Sequence, residues 1–320
     1  MAKALVTGGA GFIGSHLVDA LLARGDEVVV YDNLSGGNMA FLAQAKTQSG
    51  YSFVEADVLD LPDLMAAMKG CDIVYHVAAD PDVRTSGHRA EQHVQQNVVA
   101  TLRVLEAARV AGVGRIAFTS TSTVYGEATL IPTPEDYAPM QPISLYGASK
   151  LGSEALISAY CHTFDMQGVV FRFANIVGPR STHGVTYDFY HKLKADPTRL
   201  EILGDGKQLK SYCHVSDCVS GMLYVVDHAK GEFSALNIGS DDAIDVIELA
   251  GVVADTLGLK DVQFATTGGV DGGRGWKGDV KRMGLANEGI KKLGWRPAFT
   301  SAQAIRDTTS ALITEFGALS

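Results

Sequence analysis

Tyr146 and Lys150 stand four residues apart in Tyr146-Gly147-Ala148-Ser149-Lys150, so a helix over this stretch places a phenol and an ammonium on one face. A tyrosine ordinarily loses its proton near pH 10, and a neighbouring ammonium favours the phenolate, bringing a general base toward working pH. Spacing alone decides nothing, because Tyr190 and Lys194 repeat it. Position separates the two pairs. Only Tyr146 follows a β-rich run, Ile116 to Thr119, that ends in the hydroxyl cluster Thr119-Ser120-Thr121-Ser122-Thr123 before Val124-Tyr125-Gly126. A hydroxyl at that strand end can bond a substrate oxygen and help move its proton. These parts suit removal of a proton from an alcohol while a hydride leaves its carbon. The Tyr190–Lys194 pair reads as an exposed helix face.

A second group of residues speaks of a phosphate. Thr7-Gly8-Gly9-Ala10-Gly11-Phe12-Ile13-Gly14 satisfies both G-x-x-G-x-x-G and G-x-G-x-x-G, directly after a strand-like run and before a helix expected to begin at Ser15. Glycines there permit a sharp turn and let backbone approach a pyrophosphate at the helix N-terminus, and the last one permits close packing of helix on strand. A glycine-rich turn can also serve only the fold. Here the second strand ends at Asp32, where a carboxylate can accept hydrogen bonds from an adenosine ribose and would repel a 2′-phosphate. No Lys or Arg lies between Val28 and Ala45, so NAD is expected rather than NADP.

The elements that must hold these residues follow from periodicity. Strands are expected at 4–7, 27–31, 52–55, 73–77, 116–119 and 169–173, and helices at 14–24, 61–69, about 89–109 and from 145. Their alternation predicts an α/β fold, a Rossmann doubly wound parallel sheet. After Pro179 the rhythm breaks into Gly- and Pro-punctuated segments with a helix at 243–257. This predicts a Rossmann domain over 1–174, with later crossings near 210–240, and a smaller α/β substrate-binding lobe over 175–320.

The chain of 320 residues is 46% hydrophobic, long enough for a sizeable core. Its 27 basic and 36 acidic residues give a net charge of −9, the wrong balance for a nucleic-acid partner. Four cysteines, Cys71, Cys161, Cys213 and Cys218, show no C-x-x-C spacing and read as reduced, mostly buried thiols. No targeting segment and no apolar run of membrane-spanning length is visible, so a soluble cytoplasmic protein is expected. His16 and His76 read as packed or hydrogen-bonded. His88 and His93, five apart, and Cys213-His214 lack a ligand set, so no metal is expected.

Taken together, the motifs resemble those of the extended short-chain dehydrogenase/reductase family, within it the NAD-dependent nucleotide-sugar epimerases and dehydratases, and most of all the UDP-glucose 4-epimerases. The resemblance runs nearly the whole chain: residues 7–17, Asp32-Asn33-Leu34-Ser35, Asp57-Val58, His76-Val77-Ala78-Ala79, Asn97-Val98, 122–126, Tyr146-x-x-x-Lys150, Arg172-Phe173-Ala174-Asn175 with Gly178-Pro179-Arg180, Tyr212-Cys213-His214-Val215-x-Asp217, and Leu293-Gly294-Trp295-x-Pro297. It implies Gly8, Gly11, Phe12, Ile13 and Gly14 at the pyrophosphate, Asp32 and Asn33 at the ribose, and Asp57 and Val58 near adenine. Val77, Ala78 and Ala79 would line the nicotinamide side, with Asn97 and the Phe173–Ala174 backbone completing the cofactor site. Thr121 would be the catalytic hydroxyl and Tyr146 the base, while Lys150 would hold the nicotinamide ribose and tune Tyr146. Asn175 matches a position that meets the substrate diphosphate, and Met283 one beside the sugar 2-substituent.

Two departures from the family pattern concern the diphosphate. Lys210 stands where an arginine is usual, a point charge instead of a fork, and the other arginine slot is Trp276, leaving Arg274 as the candidate. Both cations could equally be surface charges. Related dehydratases and decarboxylases carry an acid after the catalytic hydroxyl, whereas Ser122 and Thr123 follow here. The resemblance then implies C4 epimerisation of a UDP-hexose, UDP-glucose or UDP-galactose, through a transient 4-keto sugar, in a homodimer built on the helices at 89–109 and 145 onward. The alternatives are a 4,6-dehydratase, a UDP-glucuronate decarboxylase or epimerase, a net alcohol dehydrogenase, and a non-catalytic NAD-binding sensor.

Overall fold

The computed structural model describes residues 1–83 and 89–318. Seven strands form one sheet: β1 (Lys3–Thr7), β2 (Glu27–Asp32), β3 (Tyr51–Glu55), β4 (Ile73–His76), β5 (Arg115–Thr121), β6 (Gln167–Phe173) and, after the short β7 (Asn175–Val177), β8 (Arg199–Ile202), β9 (Leu209–Lys210) and β10 (Tyr212–His214), the edge strand β11 (Phe233–Ile238). Their order is β11-β6-β5-β4-β1-β2-β3. The pairs β1·β2, β1·β4, β2·β3 and β4·β5 are parallel. Such an order reverses direction between β1 and β4, and at that switch point the carboxyl ends of the strands open a ligand crevice.

The helices are α1 (Phe12–Ala23), α2 (Leu61–Met68), α3 (Ala90–His93), α4 (Ala100–Ala111), α5 (Leu145–Phe164), α6 (Val185–Ala195), α7 (Val215–His228), α8 (Val246–Thr256), α9 (Glu288–Leu293) and α10 (Ser301–Phe316). Contacts divide the chain into two compact units: Met1–Val124, Leu145–Arg172 and Met222–Leu236 in the first, and Tyr125–Ser144, Phe173–Gly221 and Asn237–Ser320 in the second. In the first, Leu5, Tyr31, Val74 and Phe118 of the sheet bury against Leu64 and Met68 of α2, Val104 and Leu105 of α4 and Ile157 of α5. Each such side chain is worth about 1.5–3 kcal/mol of transfer from water. In the second, Leu193, Leu200, Ile202, Leu249, Val253 and Ile305 form a separate core around α6, α8 and α10.

Several element boundaries depart from expectation. Helix α1 begins at Phe12, so Gly14 lies inside it; a Cβ there would stand 2.0 Å from the Gly8 carbonyl oxygen, and only glycine fits. The expected helix at 89–109 is broken by a π-helical stretch, Val94–Val99. The carbonyl of Asn97 receives the hydroxyls of Thr101 (2.6 Å) and Ser153 (3.1 Å), side-chain competition of the kind that widens a helical turn. The expected start of a helix at Ala243 is instead β12 (Ile244–Asp245), and α8 begins at Val246 because the Asp245 side chain accepts from the N–H of Glu248. Two further short strands, β13 (Gln263–Thr266) and β14 (Arg282–Met283), pair with β8 and β9.

Candidate functional site

The glycine loop is shaped to be open to a ligand. Gly8 has φ +68°, its N–H donates to Tyr31 O (2.9 Å), and a Cβ on it would lie 2.7 Å from the Ala78 nitrogen. Helix α1 then starts with no capping side chain and no acid in its first turn. Its leading N–H groups, with the positive end of the helix dipole behind them, are left for an anion. At the end of β2, the buried Asp32 carboxylate accepts from the N–H groups of Ala10 (2.9 Å) and Leu34 (2.8 Å), which anchors it against the loop. Removal from water raises its pKa, and those two N–H groups oppose the rise. Asn33 donates to Asp57 Oδ2 (2.9 Å), and the Asp57 backbone oxygen receives the Tyr31 hydroxyl (3.0 Å), joining β2 to the turn that carries the buried Val58. Next to the loop, the N–H groups of Val77 and Ala78 both reach Thr7 Oγ1 (3.2 and 3.3 Å), so the chain leaving β4 through Ala79 runs beside Gly8.

Strand β5 and helix α5 meet along three successive helical turns. The Tyr146 hydroxyl hydrogen-bonds the Thr121 side chain. Lys150, 2% exposed, donates to the Thr119 carbonyl (2.8 Å) with its ammonium 4.6 Å from the Phe118 ring centroid. Ser120 Oγ donates to Glu154. Thr121 is thus the last residue of β5, and the phenol and ammonium share a helix face.

Burial governs the protonation of both groups. The tyrosine is pushed up to about 12 by removal from water, with the Thr121 hydrogen bond lowering it and the nearby Asp80 carboxylate raising it further. Lys150 itself is pushed down to about 7 by burial, against which only the Glu154 charge acts. Its ammonium stands 6.0 Å from the Tyr146 ring centroid. Asp80 was not foreseen as a site residue: it follows β4 in sequence, far from Tyr146, and no spacing links the two. Asn97 ties them structurally. Its amide group accepts from Asp80 N (2.8 Å) and donates to Asp80 O (3.2 Å) and Ser149 Oγ (2.9 Å), so both its N–H donors go to protein, and its part is to brace the turn after β4 against α5.

In the second unit the substrate candidates cluster. Lys210 and Met283 are register partners on β9 and β14. Lys210 Nζ pairs with Asp279 Oδ1 (2.6 Å) and lies 5.4 Å from the Trp276 ring centroid. Arg274 pairs with Glu127 and donates to the Asp279 carbonyl (2.7 Å). Both cations are half-buried, their side chains 16% and 20% exposed. Asn175 opens β7, its side-chain N–H held by Ser211 O (3.2 Å), and the Ala174 N–H donates to Ile238 O (3.0 Å) after Phe173 closes β6.

The Tyr190–Lys194 pair is not an exposed face. Tyr190 is fully buried on α6 with its hydroxyl on Gly317 O (2.6 Å), and Lys194 donates to Phe316 O, so the pair fastens the C-terminal helix. His76 is buried between Thr7 Oγ1 (2.8 Å) and Thr101 Oγ1 (3.1 Å), and His16 sets its ring edge-on to Phe12. All four cysteines are free and buried. Among the described residues no three His, Cys, Asp or Glu side chains gather as a metal site; His93 is buried, and His88 lies outside those residues.

A family model described as the NAD dependent epimerase/dehydratase family matches residues 4–239. The chain belongs to this family. A UDP-glucose 4-epimerase of Mycolicibacterium smegmatis is 35% identical over 314 residues, covering 96% of this chain and 97% of the relative. A solved UDP-galactose 4-epimerase superposes with a TM-score of 0.87 at 43% identity, over 98% of this chain and 99% of the other. The dTDP-glucose 4,6-dehydratase of Streptomyces venezuelae, solved with NAD bound, gives 0.89 at 32%, over 98% of each.

As an epimerase/dehydratase family member the protein uses NAD, and its own residues fit that group. The uncapped N-terminus of α1 suits the pyrophosphate, and the close-packed glycines leave no Cβ in its way. Asp32 keeps acceptor capacity beyond its two backbone partners for ribose hydroxyls. Bound NAD supplies the hydride acceptor. Tyr146 and Thr121 supply a hydroxyl pair through which a substrate proton can pass, and Lys150 an ammonium behind them.

Proposed function

We propose that the protein interconverts UDP-hexoses by epimerisation at C4, with UDP-glucose and UDP-galactose as the substrate pair. The observation that carries this is the hydrogen-bonded Tyr146–Thr121 pair at the end of β5, with Ser122 and Thr123, and no carboxylate, following Thr121 in the chain. Tyr146 as phenolate takes the proton of the sugar 4-hydroxyl while the C4 hydride passes to NAD. The resulting 4-keto sugar turns its other face, the hydride returns to C4, and Tyr146 gives the proton back to O4. Thr121 holds the O4 oxygen through both transfers, and Lys150 holds the nicotinamide ribose. Phe12, Ile13, Asn33, Asp57, Val58, Val77, Ala78, Ala79, Phe173 and Ala174 surround the cofactor. Asn175, Lys210 and Arg274 take the diphosphate, the two cations exchanging their present carboxylate partners for phosphate oxygens, and Met283 lies by the sugar.

A coupled assay with UDP-glucose, UDP-galactose and their N-acetyl forms, without added NAD, tests the reading. Conversion without net NADH release is expected; NADH accumulating steadily once NAD is supplied in excess would instead mark an alcohol dehydrogenase. A second reading, 4,6-dehydration, is favoured by Asp80, a carboxyl group whose charge is felt at Tyr146 and which, after taking up a proton from solvent, would give that proton to the departing hydroxyl as water forms. Appearance of a 4-keto-6-deoxy sugar, abolished by Asp80→Asn, would establish it. The protein acts as a cytoplasmic homodimer through the helices around α4 and α5, where Val94, Leu102, Val110, Leu145 and Phe164 are exposed apolar side chains.

A further inference from the structure

Glu154 stands one turn beyond Lys150 and two beyond Tyr146 on α5, and the three side chains engage three consecutive residues of β5: Tyr146 with Thr121, Lys150 with the Thr119 carbonyl, Glu154 with Ser120. The Glu154 carboxylate is also gripped by the Arg172 guanidinium of β6, through Nε (3.1 and 3.2 Å) and Nη2 (2.8 Å). Both side chains are only 5% exposed. A buried ion pair is poor evidence of stability, because desolvation offsets most of its attraction, so a different use is worth asking for.

We propose that Glu154 is a positioning residue that acts through Lys150: its carboxylate, clamped by Arg172 and Ser120, helps the buried Lys150 hold its proton and fixes the α5–β5 register that brings Tyr146 to Thr121. This rests on the reading of Lys150 as the cation that holds the nicotinamide ribose. The groups facing Lys150 leave Glu154 as the charge that matters. On β4, His76 is pushed down to about 3 and is neutral at working pH. On β5 there are only the Phe118 ring and the Thr119 carbonyl. On α5, Tyr146 keeps its proton until about 12. Asp80, after β4, acts on Tyr146, and Arg172 on β6 is engaged by Glu154. Burial draws Lys150 down to about 7, and Glu154 is the charge that holds it up.

The test measures two pH profiles, UDP-galactose turnover and NADH binding by fluorescence to nucleotide-stripped protein, in wild type, Glu154→Gln, Arg172→Gln and the apolar double variant Glu154→Leu/Arg172→Met. Both profiles are expected to fall as Lys150 loses its proton. Glu154→Gln and the double variant should move the midpoint to lower pH by about one unit, the effect of removing a nearby opposite charge. Arg172→Gln breaks the same ion pair but should not move the midpoint toward acid. An unmoved midpoint in Glu154→Gln, or an equal acid shift in Arg172→Gln, overturns the proposal by reducing the pair to a structural brace. If the single variants do not fold, the double variant, which removes the Glu154–Arg172 ion pair whole and strands neither of its partners, decides by the same shift. If no UDP-sugar turns over even in wild type, the catalytic reading fails while the NADH profile still reads Glu154.

Discussion

Tyr146 holds its proton far more tightly than a free tyrosine, pushed up to about 12 chiefly by removal from water, so the work of ionising it falls to its surroundings in the loaded site. The Thr121 hydrogen bond acts in that direction and the Asp80 charge against it. Tyr146→Phe should therefore lower kcat for UDP-galactose by about 10²–10⁴-fold with little change in NADH affinity, measured by steady-state kinetics and fluorescence titration. Asp80→Asn, by removing the charge that disfavours the phenolate, should shift the acidic limb of the kcat profile to lower pH, and an unshifted limb would remove Asp80 from the site's electrostatics. The tyrosine and lysine were legible from their types and spacing. Asp80 was not, because a carboxylate 66 positions away in sequence comes near only once β4 and α5 flank the same strand end.

At the scale of elements, the β1–α1 turn is a backbone device. Gly14→Val would drive a side chain into the Gly8 carbonyl, 2.0 Å from where its Cβ must lie, so this variant should lose NAD binding and much of its stability together. Gly11→Ala, whose Cβ would stand 3.2 Å from that oxygen, should cost far less in urea unfolding. The alternation of strands and helices was readable through β6 because each sheet strand is a short apolar run between glycines or acids. Two features escaped it. The π-helical stretch at 94–99 arises from hydroxyls on different elements converging on the Asn97 carbonyl, and Tyr190 is buried by a C-terminal helix more than a hundred residues later. Periodicity within a window contains neither.

Over the whole molecule, two buried bases tie stability to pH. His76 binds its proton only near pH 3 when folded but near 6.5 when unfolded, so the unfolded chain holds the extra proton between those values and stability should fall as pH drops through that window. Lys150 is folded at about 7 against about 10.4 unfolded, so its burial penalises folding below pH 7 and the penalty is relieved as pH rises to 10.4. Urea unfolding from pH 4 to 10 should show both slopes, and His76→Asn should flatten the acidic one alone. Equilibrium sedimentation is expected to give a dimer for wild type and a monomer for Leu102→Glu combined with Phe164→Glu, since both side chains lie exposed on α4 and α5.

The net charge of −9 argued against polyanion partners but could not say how an anionic dinucleotide would be held; the uncapped backbone N–H groups at the start of α1 suit that task although they carry no formal charge. What the sequence determined by itself is what is local: the glycines, the acid ending β2, and the phenol and ammonium one turn apart, since each is a matter of neighbouring residue types and helical or strand period. Only the tertiary structure decided which groups set their protonation. Burial and through-space charge depend on which elements pack together, and that is how Glu154, Arg172 and Asp80 came to surround a pair whose spacing was plain from the start.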